Sequence, residues 1–314
     1  MKKITRLFGR KTNRYFHYRI GSYGEQKSTA RRAFLPLFNL AIFSTTAFFG
    51  YSYISKPRPL LDTKKVAEII QQVPQITQEK IDQKALQAHE DEQLAKTIDR
   101  LVRKMPADSA WSVSLRDLKS GRMANVNSDE TMPSGGLYDL FLLPSLEKKL
   151  TANNWNSKVG QKSVNDCVMA MIRLADKDCG VVLANYVNWR NIDPHNQTLG
   201  FSKTKLTDPS TQITTARETA DLIYRLQNSQ LLSDKARRLV FDALYEQKFR
   251  YGIPNGCLEN CLIGNKTGET GQYRHDAAVI THGQSKYVLV VMSKNASWPE
   301  IASLAKSIDN EMLP

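Results

Sequence analysis

Cysteine is scarce in this 314-residue chain: there are four, and none precedes Cys167. That excludes a disulfide-dense small scaffold. Acidic residues are nearly missing from residues 1–32, where Glu25 stands alone among ten Lys and Arg. This surplus of nine supplies most of the formal net charge of +13 and leaves +4 for the other 282 residues. The body of the chain therefore lacks the basic character of a nucleic-acid binder, and no nucleic-acid partner is expected. Charge of either sign is absent from Ala33 to Ser55. Glutamate is absent from Tyr186 through Arg217.

The uncharged run is long enough to cross a bilayer, and the basic block abuts it directly. No A-x-A cleavage site follows, so the run reads as an uncleaved signal anchor. The positive-inside rule puts residues 1–32 in the cytoplasm and the remainder outside the cell membrane. The expected organisation is a basic cytoplasmic tail (1–32), a transmembrane anchor (33–55), a polar stalk (56–95) and an extracytoplasmic domain (96–314). All four cysteines, Cys167, Cys179, Cys257 and Cys261, lie beyond the span. An even count in an exported domain suggests disulfides, with three pairings open and the local ones most economical. Zinc is the rival reading, but C-x11-C and C-x3-C lack the C-x2-C knuckles of structural zinc modules; in a reducing compartment the alternative is free thiols, two buried and two at the surface. His89, His195, His275 and His282 have no partner at metal spacing, so neither metal nor cofactor is expected. Trp111, Trp155, Trp189 and Trp298 read as core or helix-docking residues.

The stalk is rich in Gln, Glu and Lys, and reads as helical pieces broken at Pro74. A first globular helix is expected near 92–104. "WSVSLRDLKSG" and "RMANVNSD" alternate as a hairpin. A helix follows from about Gly136 to Ala152, then two more across 163–189 with a break at "ADKDCG". Residues 190–213 are polar and read as irregular. Thr215 with Glu218 forms a capping-box pattern for the next helix, and another starts at Ser233. "CLIGNKTGE", "HDAAVITHG" and "KYVLVVMSK" read as strands, and a last helix spans 298–312. Strands at both ends with helices between them imply an α+β domain whose antiparallel sheet joins the N- and C-terminal segments.

Lys266-Thr267-Gly268, on a late strand, is weak alone but specific in this order of elements. With "TTARETADLIYRL", "QKFRYGIPNG" and the first hairpin, residues from about 100 to 314 resemble the serine β-lactamase and penicillin-binding protein family, in its class A-like branch. The resemblance implies a class A β-lactamase-like fold: the sheet packed with helices, plus a helical subdomain. It also gives "SGGLYDL" a register. The family places S-x-x-K at the start of this helix, so that Ser and Lys share one face.

Here the nucleophile position is Gly136 and the lysine position Asp139. Ser134 is a poor substitute, because its i+3 partner is Leu137. The family's S-D-N becomes Ala175-Asp176-Lys177. The deacylating Glu has no counterpart, since Asp193 and Asp208 do not sit in the family's E-x-x-L-N pattern. The resemblance therefore implies a pseudoenzyme that keeps only its Lys-Thr-Gly strand. Opposite charges at Asp139 and Lys177 suggest a salt bridge, with Lys266 as a further cation. The leftover pocket, Lys266, Thr267, Gly268, Asp139 and Lys177, would bind a cell-wall peptide, or the domain would engage an envelope protein. An active β-lactamase or D-Ala-D-Ala peptidase with a non-standard nucleophile is the alternative.

Overall fold

The computed structural model describes the backbone of residues 63–150, 154–208, 211–257 and 260–313, with side chains from residue 80 onward bar 81 and 82. The tail and the anchor expected at 33–55 lie outside the described residues. No helix among the described residues is long and apolar enough to cross a membrane. The chain divides into two units, residues 1–70 and 71–314.

Strands β1 (Ala110–Asp117), β2 (Met123–Val126), β7 (Cys261–Thr270), β8 (Tyr273–His282) and β9 (Ser285–Lys294) form a five-stranded antiparallel sheet in the order β2-β1-β9-β8-β7. Of the short strands, β3 (Met132–Pro133) pairs with β6 (Ile213–Thr214) and β4 (Lys158–Val159) with β5 (Lys162–Ser163). Central strand β9 is apolar on both sides. Val288, Val290 and Met292 enter one core, while Tyr287, Leu289 and Val291 enter the other. That is the period-2 alternation of a strand covered on both faces.

Helix α1 (Thr63–Val102) places Leu94, Ile98 and Val102 in the second core. With the short helix α8 (Ile253–Gly256) and the last helix, α9 (Trp298–Met312), it fills that side. The first core is built by α2 (Tyr138–Leu150), α3 (Val164–Arg173), α4 (Lys177–Val187), α6 (Ala216–Gln227) and α7 (Asp234–Tyr245). The expected hairpin, the helix pair across 163–189 and the three late strands all form.

Two expectations are corrected. The backbone runs as one helix through Pro74 instead of breaking there. The segment read as irregular holds helix α5 (Trp189–Thr198) with Pro194 inside it. Its polar sequence hid the helix, and Asn188 starts it by accepting from the Arg190 amide. The capping box at Thr215 forms only by half. Thr215 accepts from the Glu218 amide, but the Glu218 carboxylate turns to the amides of Lys203 and Thr204.

Candidate functional site

The segment ahead of α2 is fixed from two sides. Met132–Pro133 forms β3, which pairs antiparallel with β6 (Ile213–Thr214). The Ser134 amide donates to the Gln212 carbonyl at 2.9 Å. From β8, buried His275 places Nε2 2.8 Å from the Pro133 carbonyl, and its Nδ1 accepts from the Ser293 amide at 3.1 Å. The second bond makes Nε2 the protonated nitrogen of a neutral ring. Burial lowers the His275 pKa to about 4.

The sign of the resulting pH effect follows directly. Between pH 6.5 and 4 the unfolded chain carries a proton on this ring that the folded chain refuses, so His275 costs stability as pH falls through that window. Neighbouring Asp276, raised to about 7 by burial, acts in the opposite sense and loses stability as pH rises. His275→Gln should therefore remove the acid-side loss while leaving the Asp276 slope. Urea melts of both proteins from pH 4 to 7 check this.

A tight turn, Gly135–Leu137, leads into α2 and lies backbone to backbone against β7. A Cβ on Gly136 would stand 2.7 Å from the Thr267 carbonyl oxygen and 3.1 Å from Lys266 Nζ. One on Gly268 would stand 2.7 Å from the Ser134 carbonyl oxygen. Gly135 has φ +51°, a left-handed conformation that glycine adopts without cost. The turn and the strand are thus closed on each other.

Behind that contact lies the charge. Lys266 Nζ is 2.9 Å from Asp139 Oδ2, with Lys266 0% and Asp139 4% exposed. Burial pushes the Asp139 carboxyl up, while the Lys266 ammonium and the Tyr138 hydroxyl pull it down. A buried charge of either sign requires such a partner.

The expected Asp139–Lys177 bridge is not formed. Lys177, the first residue of α4, is exposed and enters no ion pair among the described residues. Asp176 caps that helix by accepting from the Cys179 amide, and pairs with Lys162 at 3.0 Å. Ala175 holds φ +53° in the preceding turn. The pocket proposed from sequence is therefore divided: Asp139, Lys266, Thr267 and Gly268 are buried together, and Lys177 faces solvent. Ser134 is fully buried, its hydroxyl 3.4 Å from the Gln212 carbonyl oxygen. Asp193 accepts from the amides of Leu206 and Thr207, so it is engaged with backbone.

Gly180 on α4 completes the enclosure. Its Cβ would meet the Tyr138 hydroxyl at 2.6 Å and Asp139 Oδ1 at 3.0 Å. In an open helix, Gly→Ala gains roughly 1 kcal/mol. Here overpacking should reverse the sign, giving a net loss of about 1 kcal/mol. Tyr138→Phe removes the hydroxyl, leaving the ring carbon at 3.5 Å. It should recover most of that loss in thermal melts.

The cysteines divide as well. Cys257 and Cys261 are bridged, whereas Cys167 and Cys179 are free and buried, which corrects the second expected disulfide. Burial, with Cys167 as its hydrogen-bonding neighbour, pushes the Cys179 thiol up to about 12. It stays protonated and unreactive.

A turn packed on a Lys-Thr-Gly strand, with a helical subdomain over one face of an antiparallel sheet, defines the serine β-lactamase and penicillin-binding class of fold. The profile described as "Beta-lactamase enzyme family" matches residues 145–312, and the chain belongs to that family. Among solved structures, PBP-A is 19% identical with a TM-score of 0.61, covering 70% of this chain and 95% of its own. A β-lactamase from Desulfarculus baarsii is 15% identical with a TM-score of 0.62, covering 70% and 97%. A class A β-lactamase from Mycobacterium abscessus is 16% identical with a TM-score of 0.61, covering 69% and 98%. These likenesses are of fold. No curated protein matches the sequence.

Proposed function

We propose that this protein is a non-hydrolytic member of its family, anchored in the membrane through residues 33–55, whose extracytoplasmic domain engages an envelope protein. The observation that carries the reading is the Lys266–Asp139 pair, buried under a turn with Gly136 at the nucleophile position. A serine hydrolase needs a hydroxyl and a base on one open face. Here the corresponding positions hold no hydroxyl and an acid, and the strand lysine is neutralised by that acid. The other family roles fall on Ala175 and on Lys177 in solvent. Closure of the cleft also favours a protein partner over a cell-wall peptide, since the groups that would grip a peptide carboxylate are buried.

Chemical crosslinking of the full-length protein in its native membrane tests this. A specific heavier adduct containing a second envelope protein is expected. Only monomer, together with saturable binding of a carboxylate-ended cell-wall peptide that Lys266→Met abolishes, would contradict it.

A further inference from the structure

A second cluster lies at the other end of β7, five rungs from Lys266, which is roughly 17 Å along the strand. Cys261 opens β7 and pairs in register with His282, the last residue of β8. Cys257 precedes it by four residues, and Asp309 comes from α9. One donor atom from each of the four falls within 4.8 Å of all the others. His282 Nδ1 is 2.8 Å from Asp309 Oδ2, and Cys257 Sγ is 3.5 Å from that oxygen and 3.9 Å from the imidazole nitrogen. A tetrahedral ion with metal–sulfur bonds near 2.3 Å and metal–nitrogen or –oxygen bonds near 2.0–2.1 Å sets donor separations of roughly 3.3–3.8 Å. The three separations among Cys257, His282 and Asp309 bracket that range, and Cys261 reaches it once its bond to Cys257 is broken. The second carboxylate oxygen, Asp309 Oδ1, accepts from the hydroxyl of fully buried Tyr287. That is the outer support by which metal-binding carboxylates are usually oriented. The cysteines and His282 are partly exposed, so an ion and a reductant can reach them.

We propose that Cys257, Cys261, His282 and Asp309 form a redox-gated site for a zinc-class divalent cation. In the oxidised protein Cys257 and Cys261 form a disulfide and the site is shut. A dithiol reductant delivers two electrons and two protons to that bond, becoming a disulfide itself, and leaves two thiols. The cation then displaces those two protons and binds both thiolates, the imidazole and the carboxylate. Two sulfurs, one nitrogen and one oxygen suit zinc over magnesium or calcium, which prefer all-oxygen sites. The sequence hid this site, because His282 and Asp309 lie far from the cysteines along the chain and sheet pairing supplies the meeting.

The test is cobalt(II) titration of the full-length protein, oxidised and reduced, with folding followed by circular dichroism. The reduced protein should take up one cobalt per chain, with thiolate charge-transfer and tetrahedral absorption bands that zinc displaces. The oxidised protein should show neither band. Cys261→Ser and His282→Ala should lose the bands, while Cys167→Ala with Cys179→Ala should keep them. Tyr287→Phe, which keeps all four ligands, should weaken binding about tenfold or more. Absent bands in the reduced protein, whether it is folded or left unfolded by zinc, would overturn the site. So would bands that survive Cys261→Ser or vanish with Cys167 and Cys179.

Discussion

Removing either member of the Lys266–Asp139 pair should cost about 3–5 kcal/mol, because it strands the other charge in a closed interior. For a domain of this size that lowers the melting temperature by roughly 6–20 °C. The pair is 2.9 Å apart with both side chains buried, so solvent screens little of the effect. Asp139→Asn together with Lys266→Met should cost far less than the sum of the singles. The singles should also differ in pH response. With Lys266 gone, burial alone holds the Asp139 carboxyl above its unfolded value. The Lys266→Met protein should then regain stability as pH falls and Asp139 takes up a proton. A double-mutant cycle in urea at pH 7 and pH 5 reads both effects. Additive singles with no pH recovery would mean that the pair is not coupled.

Restoring the family's residues should fail, and by a wide margin. Gly136→Ser with Asp139→Lys rewrites the motif on paper. The new Cβ would press to 2.7 Å on the Thr267 carbonyl oxygen, a backbone atom that cannot swing away. The new lysine would face buried Lys266, replacing an attraction by a like-charge contact in a buried site. The double variant should melt well below the wild type and remain at background with nitrocefin. Loss of one member of a cooperating catalytic set costs up to about 10⁶-fold in rate. Here Ala175 and exposed Lys177 would still be in place. Measurable turnover in a folded double variant would show that the turn opens more easily than its packing implies.

The fold was legible because each late strand carries its own period and because Lys-Thr-Gly follows the helices in the family's order. That the resemblance's nucleophile and lysine positions fall on Gly136 and Asp139 was legible for the same reason. What pairs with Asp139 was not. Sequence offered two cations, and only the strand's packing under the turn selects Lys266 over Lys177, which α4 presents to water. The enclosure by Gly136, Gly180 and Gly268 is a property of backbone approach, on which periodicity is silent. The α5 helix was missed because its start is made by Asn188 in an unusual conformation (φ +77°) and not by an apolar stripe. Asp309 illustrates the same limit: it sits on a helix closing the chain, and only sheet and helix packing bring it to the cysteine pair.

The most direct test is the intact mass of the wild-type protein after incubation with excess benzylpenicillin, read by mass spectrometry beside nitrocefin turnover. The non-hydrolytic site proposed for this chain predicts an unchanged mass and turnover equal to buffer. A stoichiometric penicilloyl adduct on any residue, Ser134 included, would contradict it.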